Sequence, residues 1–265
     1  MEWYAAYLLL GAFVGFFAGL FGIGGGLVLV PVLSWLFEAQ HLGGAQNLHL
    51  ALGTSMAAIL YTAVASAYAH HSRGAVNMHI VRNTAPGMLL GALLGALFAG
   101  SISWYYLSMF FALFVYFAAT QMLLGLRPKA SRQLPGRTGL TLVGSGIGAI
   151  SSLVSIGGGT LSVPFMLWHN IPLRQAIGTS AALGFPIALG GTAGYVATGL
   201  ALHTLPAGTL GFVYLPALFM VALGSAFTTT LGAKAAHNLP LELLRRSFAV
   251  LLFVLATRML LKVFI

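Results

Sequence analysis

The chain has 265 residues, 59% of them apolar and 6% charged, with a formal net charge of +9 and no cysteine. A water-facing surface takes about a quarter charged residues, so the outside of this protein meets an apolar solvent. Disulfides, thiolate chemistry and cysteine metal sites are excluded, and the basic residues sit between apolar runs, where orientation signals belong, and not on a nucleic-acid face.

Apolar segments fall at 4–22, 24–37, 48–70, 84–101 and 103–125, then at 139–156, 158–169, 175–198, 207–231 and 243–264. A spanning helix needs about 20 apolar residues, so the chain reads as an all-α membrane protein with roughly eight to ten transmembrane segments. The first segment carries Glu2 and no basic n-region, so it reads as a membrane segment and not as a cleaved signal. As one helix, Tyr4 to Phe37 would be about 50 Å long at 1.5 Å per residue, against a bilayer core of about 30 Å. Gly24, Gly25 and Gly26 each disfavour a helix interior by roughly 1 kcal/mol. A break is expected there, and again at Gly157, Gly158 and Gly159. The pieces after the breaks are short enough to be half-helices that enter the membrane without crossing it.

The chain contains two versions of itself. GFFAGLFGIGGGLVLVPVL (15–33) answers GAISSLVSIGGGTLSVPFML (148–167), each with a proline five residues after the last glycine. Ala51-Leu-Gly-Thr-Ser55 answers Ala176-Ile-Gly-Thr-Ser180, and Ala119-Thr-Gln-Met-Leu123 answers Ala256-Thr-Arg-Met-Leu260. The expected units are a first transmembrane repeat (1–125), a basic cytoplasmic linker (126–137) and a second transmembrane repeat (138–265). Five segments per half is odd, so the repeats should have inverted topology. Lysine and arginine cluster in the linker, in 71–83 and in 232–246, while 38–47, 101–102 and 199–206 have none. The positive-inside rule then puts both termini outside.

Broken helices are tolerated in a membrane where they line a protein-enclosed cavity. Their N-termini present free N–H groups and positive dipole character, which suit an anion. Two breaks meeting near the midplane would make one substrate site from Gly24, Gly25, Gly26, Gly157, Gly158 and Gly159; the plainer reading is that the glycines only permit close helix packing. Thr54, Ser55, Thr179 and Ser180 add hydroxyl donors. Five residues before each threonine stands a cationic or ionisable group, His49 in one half and Arg174 in the other. The alternatives are that the hydroxyls bond back to their own helices, that Arg174 marks the cytoplasmic side and that His49 is a loop residue. The acids are three glutamates, Glu2, Glu38 and Glu242, none in a segment interior. A cation pathway is therefore disfavoured and paired-carboxylate hydrolysis excluded. Neither glycine stretch is followed by the GK[ST] of a phosphate loop. The eight histidines lack metal-site spacing, and no nucleophile–base pair is legible.

The repeated block IGGGxxxVP followed by A(I/L)GTS resembles the TauE/SafE family of membrane proteins, described as sulfite exporters and sulfonate permeases, over nearly the whole chain. The resemblance implies a multi-pass protein of the bacterial inner membrane that acts as a secondary carrier of small sulfur-containing anions. Its partners would be a small anionic substrate and the lipid bilayer, with no nucleic acid and no cofactor. A coupling proton or sodium ion and a homodimer are left open. An anion channel, or a permease for another small anion, is the alternative. Ser152 and Ser155 stand where the first half has Gly19 and Gly22, and the 38–47 loop is eight residues longer than its counterpart.

Overall fold

A computed structural model describes residues 2–21, 25–125, 131–202, 205–235 and 241–264. The first half contains α1 (Glu2–Phe21), α2 (Gly26–Ala39), a 3-10 turn (Gly44–Gln46), α3 (Asn47–His71), α4 (Met78–Ser101) and α5 (Trp104–Leu124). The second contains α6 (Arg137–Leu153), α7 (Gly159–Trp168), α8 (Leu173–Leu200), a hairpin of β1 (Thr209–Leu210) and β2 (Val213–Tyr214), α9 (Leu215–Ala235) and α10 (Leu241–Phe264).

Among the described residues, six helices are long and apolar enough to cross a membrane: α1, α3, α4, α5, α8 and α9. The 14 residues of α2 and the 10 of α7 reach only about 21 and 15 Å at 1.5 Å per residue, short of a bilayer core of about 30 Å. α10 has 24 residues but carries Arg245, Arg246, Arg258 and Lys262. The chain is thus a nearly all-helical, multi-pass membrane protein.

Two elements differ from the expectation. The segment expected at 207–231 begins as a hairpin, because Gly208 and Gly211 take positive φ (84° and 54°) and turn the chain back. Pro216, at the second helical position, costs no hydrogen bond there, so α9 starts at Leu215. α4 starts six residues earlier than its apolar run. The Asn77 side chain accepts the N–H groups of His79 and Ile80 (3.1 and 3.2 Å) and caps a start that carries His79, Arg82 and Asn83.

Packing exchanges helices between the halves. α1 lies along α9 and α6 along α4, so the first helix of each half sits on the fourth of the other; α3 lies on α8 and α5 on α10. Two-thirds of the apolar windows of α3 and α8 are buried (67%), against 33–44% for the other four. These two helices therefore form the centre. Both exchanged pairs are glycine-locked. A Cβ at Gly87 or Gly91 would overlap the carbonyl oxygens of Thr141 or Ser145, and one at Gly148 that of Met88. Gly11 and Gly224 meet Val221 and Leu8 in the same way across α1 and α9. Without side chains these backbones touch directly, and lipid gives no hydrophobic substitute for that contact.

The interlock is testable. Gly91→Ala and Gly148→Ala force helices apart and should each cost about 2–3 kcal/mol. Gly146→Ala, on the same α6 but with nothing within 4 Å of its added carbon, should be neutral or stabilising by up to about 1 kcal/mol. Thermal unfolding of the purified protein in detergent reads both.

Candidate functional site

The two glycine stretches supply the N-termini of α2 and α7. Gly25 (φ 73°) and Gly158 (φ 83°) both cap their helices in the left-handed conformation that favours glycine. The carbonyl of Gly25 accepts from Val28 and Leu29 (3.2 and 3.1 Å), and that of Gly158 from Leu161 and Ser162 (3.1 and 2.8 Å). The N–H groups of the first turn of each helix have no carbonyl in their own helix to pair with. Gly24 lies outside the described residues.

The first glycine stretch touches the approach to the second. A Cβ at Gly26 would overlap the carbonyl oxygen of Ser155, one residue before the second IGGG. Ser155 has a positive φ of 50°, and its hydroxyl donates to the carbonyl of Leu52 in α3 (3.1 Å). On the other side, a Cβ at Gly184 of α8 would come within 3.0 Å of the Gly157 carbonyl. Gly26, Ser155 and Gly157–Gly159 are all buried. A cleft of about 20 Å³ opens beside Gly157, lined also by Ala18, Ile59, Thr62, Ala181 and Gly184 from both halves. That volume holds about one water.

The GTS blocks divide into three jobs. The glycine admits a crossing chain, since a Cβ at Gly53 would strike the carbonyl of Phe212 and one at Gly178 that of Ala75. The threonine then fixes that chain. Thr54 Oγ1 accepts the N–H of Tyr214, immediately before α9, and Thr179 Oγ1 accepts the N–H of Asn77, immediately before α4, each at 2.9 Å. Both threonines are fully buried. The serine faces inward. Ser180 Oγ lies 3.0 Å from Ser162 Oγ, which donates to the Gly158 carbonyl (2.7 Å), so Ser180 is linked to the second glycine stretch. Ser55 Oγ is buried with no partner among the described residues.

His49 and Arg174 stand apart from this centre. His49 Nε2 faces the carbonyls of Ala99 and Ile102 (3.1 and 3.2 Å), so this nitrogen carries the proton, and the ring stacks on Phe212 with centroids 5.2 Å apart. It ties α3 to the end of α4. Arg174 is exposed in the first turn of α8 and donates to the carbonyl of Arg73 (3.2 Å). Two residues not singled out in the sequence belong with the centre: Ser162, and Thr160, whose buried Oγ1 in the first turn of α7 has no partner among the described residues. Their signal was two hydroxyls in a short apolar segment whose first-half counterpart, Gly-Leu-Val-Leu, has none.

Residues 7–259 match the family model described as "Sulfite exporter TauE/SafE". A "Probable membrane transporter protein" of Haemophilus influenzae is 39% identical over 257 residues, covering 96% of this chain and 97% of that protein. Another of that description, YdhB of Bacillus subtilis, is 26% identical over 239 residues, covering 88% and 90%. A third, from Methanocaldococcus jannaschii, is 23% identical over 265 residues, covering 96% and 94%. No solved structure matches. With nearly its whole length matched, the chain belongs to the TauE/SafE family of multi-pass membrane transporters.

Proposed function

We propose that this protein is a secondary transporter that exports small sulfur-containing anions such as sulfite or organosulfonates. Its two halves, 1–125 and 138–265 joined by the linker 126–137, work as inverted repeats and alternate access to one site between the IGGG breaks. The observation that carries this reading is the buried contact of Gly26 with Ser155, which joins the first glycine stretch to the approach of the second. The exchanged packing of α1 on α9 and α6 on α4 supports inverted halves, because equivalent helices make equivalent contacts.

The chemistry follows from the groups at the junction. The N-termini of α2 and α7 each carry about half a positive charge from the helix dipole, in a region from which water is largely excluded. Ser55, Ser180, Ser162 and Thr160 add neutral donors, and among the described residues no carboxylate lines the cleft beside Gly157. Gly24, Gly25, Gly26, Gly157, Gly158 and Gly159 let main-chain N–H groups approach the substrate. Thr54 and Thr179 hold the frame, His49 fixes α4 to α3, and Arg174 contributes positive potential from the surface. A cleft of about 20 Å³ admits no sulfur oxyanion, so loading requires the halves to part.

Four tests bear on the reading. Purified protein in liposomes should show saturable counterflow of sulfite or ethanesulfonate; a channel gives none, and binding of cations with no anion bound overturns the proposal. Ser180→Ala should leave the fold intact and weaken anion binding about tenfold, as loss of one hydrogen bond to a charged ligand does. Thr54→Val and Thr179→Val should instead lower thermal stability by about 1–3 kcal/mol each, because a buried N–H loses its acceptor. Arg174→Ala should weaken anion binding about two- to fivefold at low salt and not at all near 1 M salt, where the Debye length falls to about 3 Å.

A further inference from the structure

Two concavities are far larger than the cleft at the glycine junction. Two adjoining clefts of about 290 and 270 Å³ lie at the far end of α2, between it, the start of α3, the start of α5 and the last turns of α10. They share Ser34, Glu38, Met259 and Lys262.

Their mostly apolar lining carries a cluster of charged and polar side chains: Glu38, Arg258, Lys262, Ser34, Asn47 and Ser108. Lys262 Nζ pairs with Glu38 at 2.6 Å, the one ion pair among the described residues. Arg258 has its guanidinium 4.8 Å from the centre of the Trp35 ring and no acidic partner among the described residues. Two cations therefore face one carboxylate. Deeper in, Asn47 and Ser34 are buried and bonded to each other (2.6 and 3.1 Å). Ser108, only 5% exposed, lines the first cleft with no hydrogen-bond partner among the described residues. Trp104 walls the first cleft and Trp35 the second, with Met259 common to both.

We propose that this cleft is a second binding site, for an oxyanion head group of the sulfonate or phosphate type that carries a short apolar body. Arg258 would grip the oxyanion with its paired N–H groups. Lys262 would exchange its half-exposed bond to Glu38 for the ligand. Ser108 supplies a hydroxyl, and Trp35 and Trp104 cover the apolar part. Basic residues at a helix end otherwise serve as snorkelling anchors, but an anchor needs neither a cleft of this size nor an unpartnered serine beneath it. The site is separate from the glycine junction and does not depend on the transport reading.

Four tryptophans make the test direct. The full chain, purified in detergent with 5-fluorotryptophan, gives one ¹⁹F resonance each for Trp3, Trp35, Trp104 and Trp168. Sodium ethanesulfonate and dihexanoylphosphatidylglycerol are the probes, with dihexanoylphosphatidylcholine as the uncharged-net control. We expect the Trp35 and Trp104 resonances to shift saturably with an anionic probe while Trp168 stays fixed. Arg258→Ala should weaken the response about tenfold and Ser108→Ala about threefold, whereas Glu38→Gln should tighten it about threefold. Unmoved Trp3 and Trp168 resonances certify that each variant is folded. A response to ethanesulfonate identifies a soluble anion, and one confined to phosphatidylglycerol identifies a lipid head group; either supports the site. The absence of any saturable shift, an equal response to phosphatidylcholine, or weakening by Glu38→Gln as large as that by Arg258→Ala overturns it.

Discussion

Main chain pressed directly against main chain, as at Gly26 and Ser155, is the contact on which the rest of the architecture turns. A helix interrupted in a bilayer leaves N–H and C=O groups that lipid cannot satisfy. The interruption survives only if protein encloses it. Here the end of α6 is closed by Ile156 N–H donating to the Ser151 carbonyl (2.9 Å), and the following chain is anchored by Ser155 Oγ on Leu52. A side chain at position 26 would hold the halves apart and expose both. The same economy of volume runs through the exchanged pairs α1–α9 and α4–α6, where glycines let helices approach as closely as their backbones allow.

Around that contact, the GTS blocks convert sequence identity into a repeated mechanical joint. Gly53 and Gly178 clear a path for the segments at Phe212 and Ala75, and Thr54 and Thr179 take the N–H groups two residues further on. The two joints set where α9 and α4 begin, and those are the helices that receive α1 and α6 from the opposite half. An identical hydrogen bond of 2.9 Å in each copy ties the halves to each other through α3 and α8. The threonines thus act as fixtures, while of the neighbouring serines Ser55 Oγ has no partner among the described residues and Ser180 is bonded to Ser162.

Much of this was legible in the residues. The apolar runs 24–37, 48–70, 158–169 and 175–198 correspond to α2, α3, α7 and α8; that α3 and α8 form the centre was not legible in them. The hairpin was hidden because Thr209–Tyr214 pairs only two residues a side within an apolar run; Gly208 and Gly211 were its only markers. Alignment also makes His49 and Arg174 equivalent, yet equivalence fixes a place on a helix and not its surroundings. The end of α4 and the ring of Phe212 enclose His49, while Arg174 donates to the exposed turn at Arg73. The hydroxyl link from Ser180 through Ser162 to Gly158 was harder to find, because its middle member has a leucine, Leu29, as counterpart and shows only as a departure from the repeat.

The copies diverge most at the far ends of the two short helices. Trp35 and Trp168 each follow their left-handed glycine by ten residues, and each ring lies against an arginine, at 4.8 Å from Arg258 and 4.3 Å from Arg132. The first arginine belongs to α10. The second belongs to the linker, whose Ser131 and Arg132 N–H groups also donate to the Trp168 carbonyl (3.2 Å each) while Trp168 Nε1 donates to Ser131 (3.0 Å). α7 is four residues shorter than α2, and the linker covers the carbonyl end that a further turn would otherwise have continued. Duplication therefore kept one constraint, a fixed outer end for each short helix, and met it with unrelated partners. On the topology proposed, those ends lie on opposite faces of the membrane.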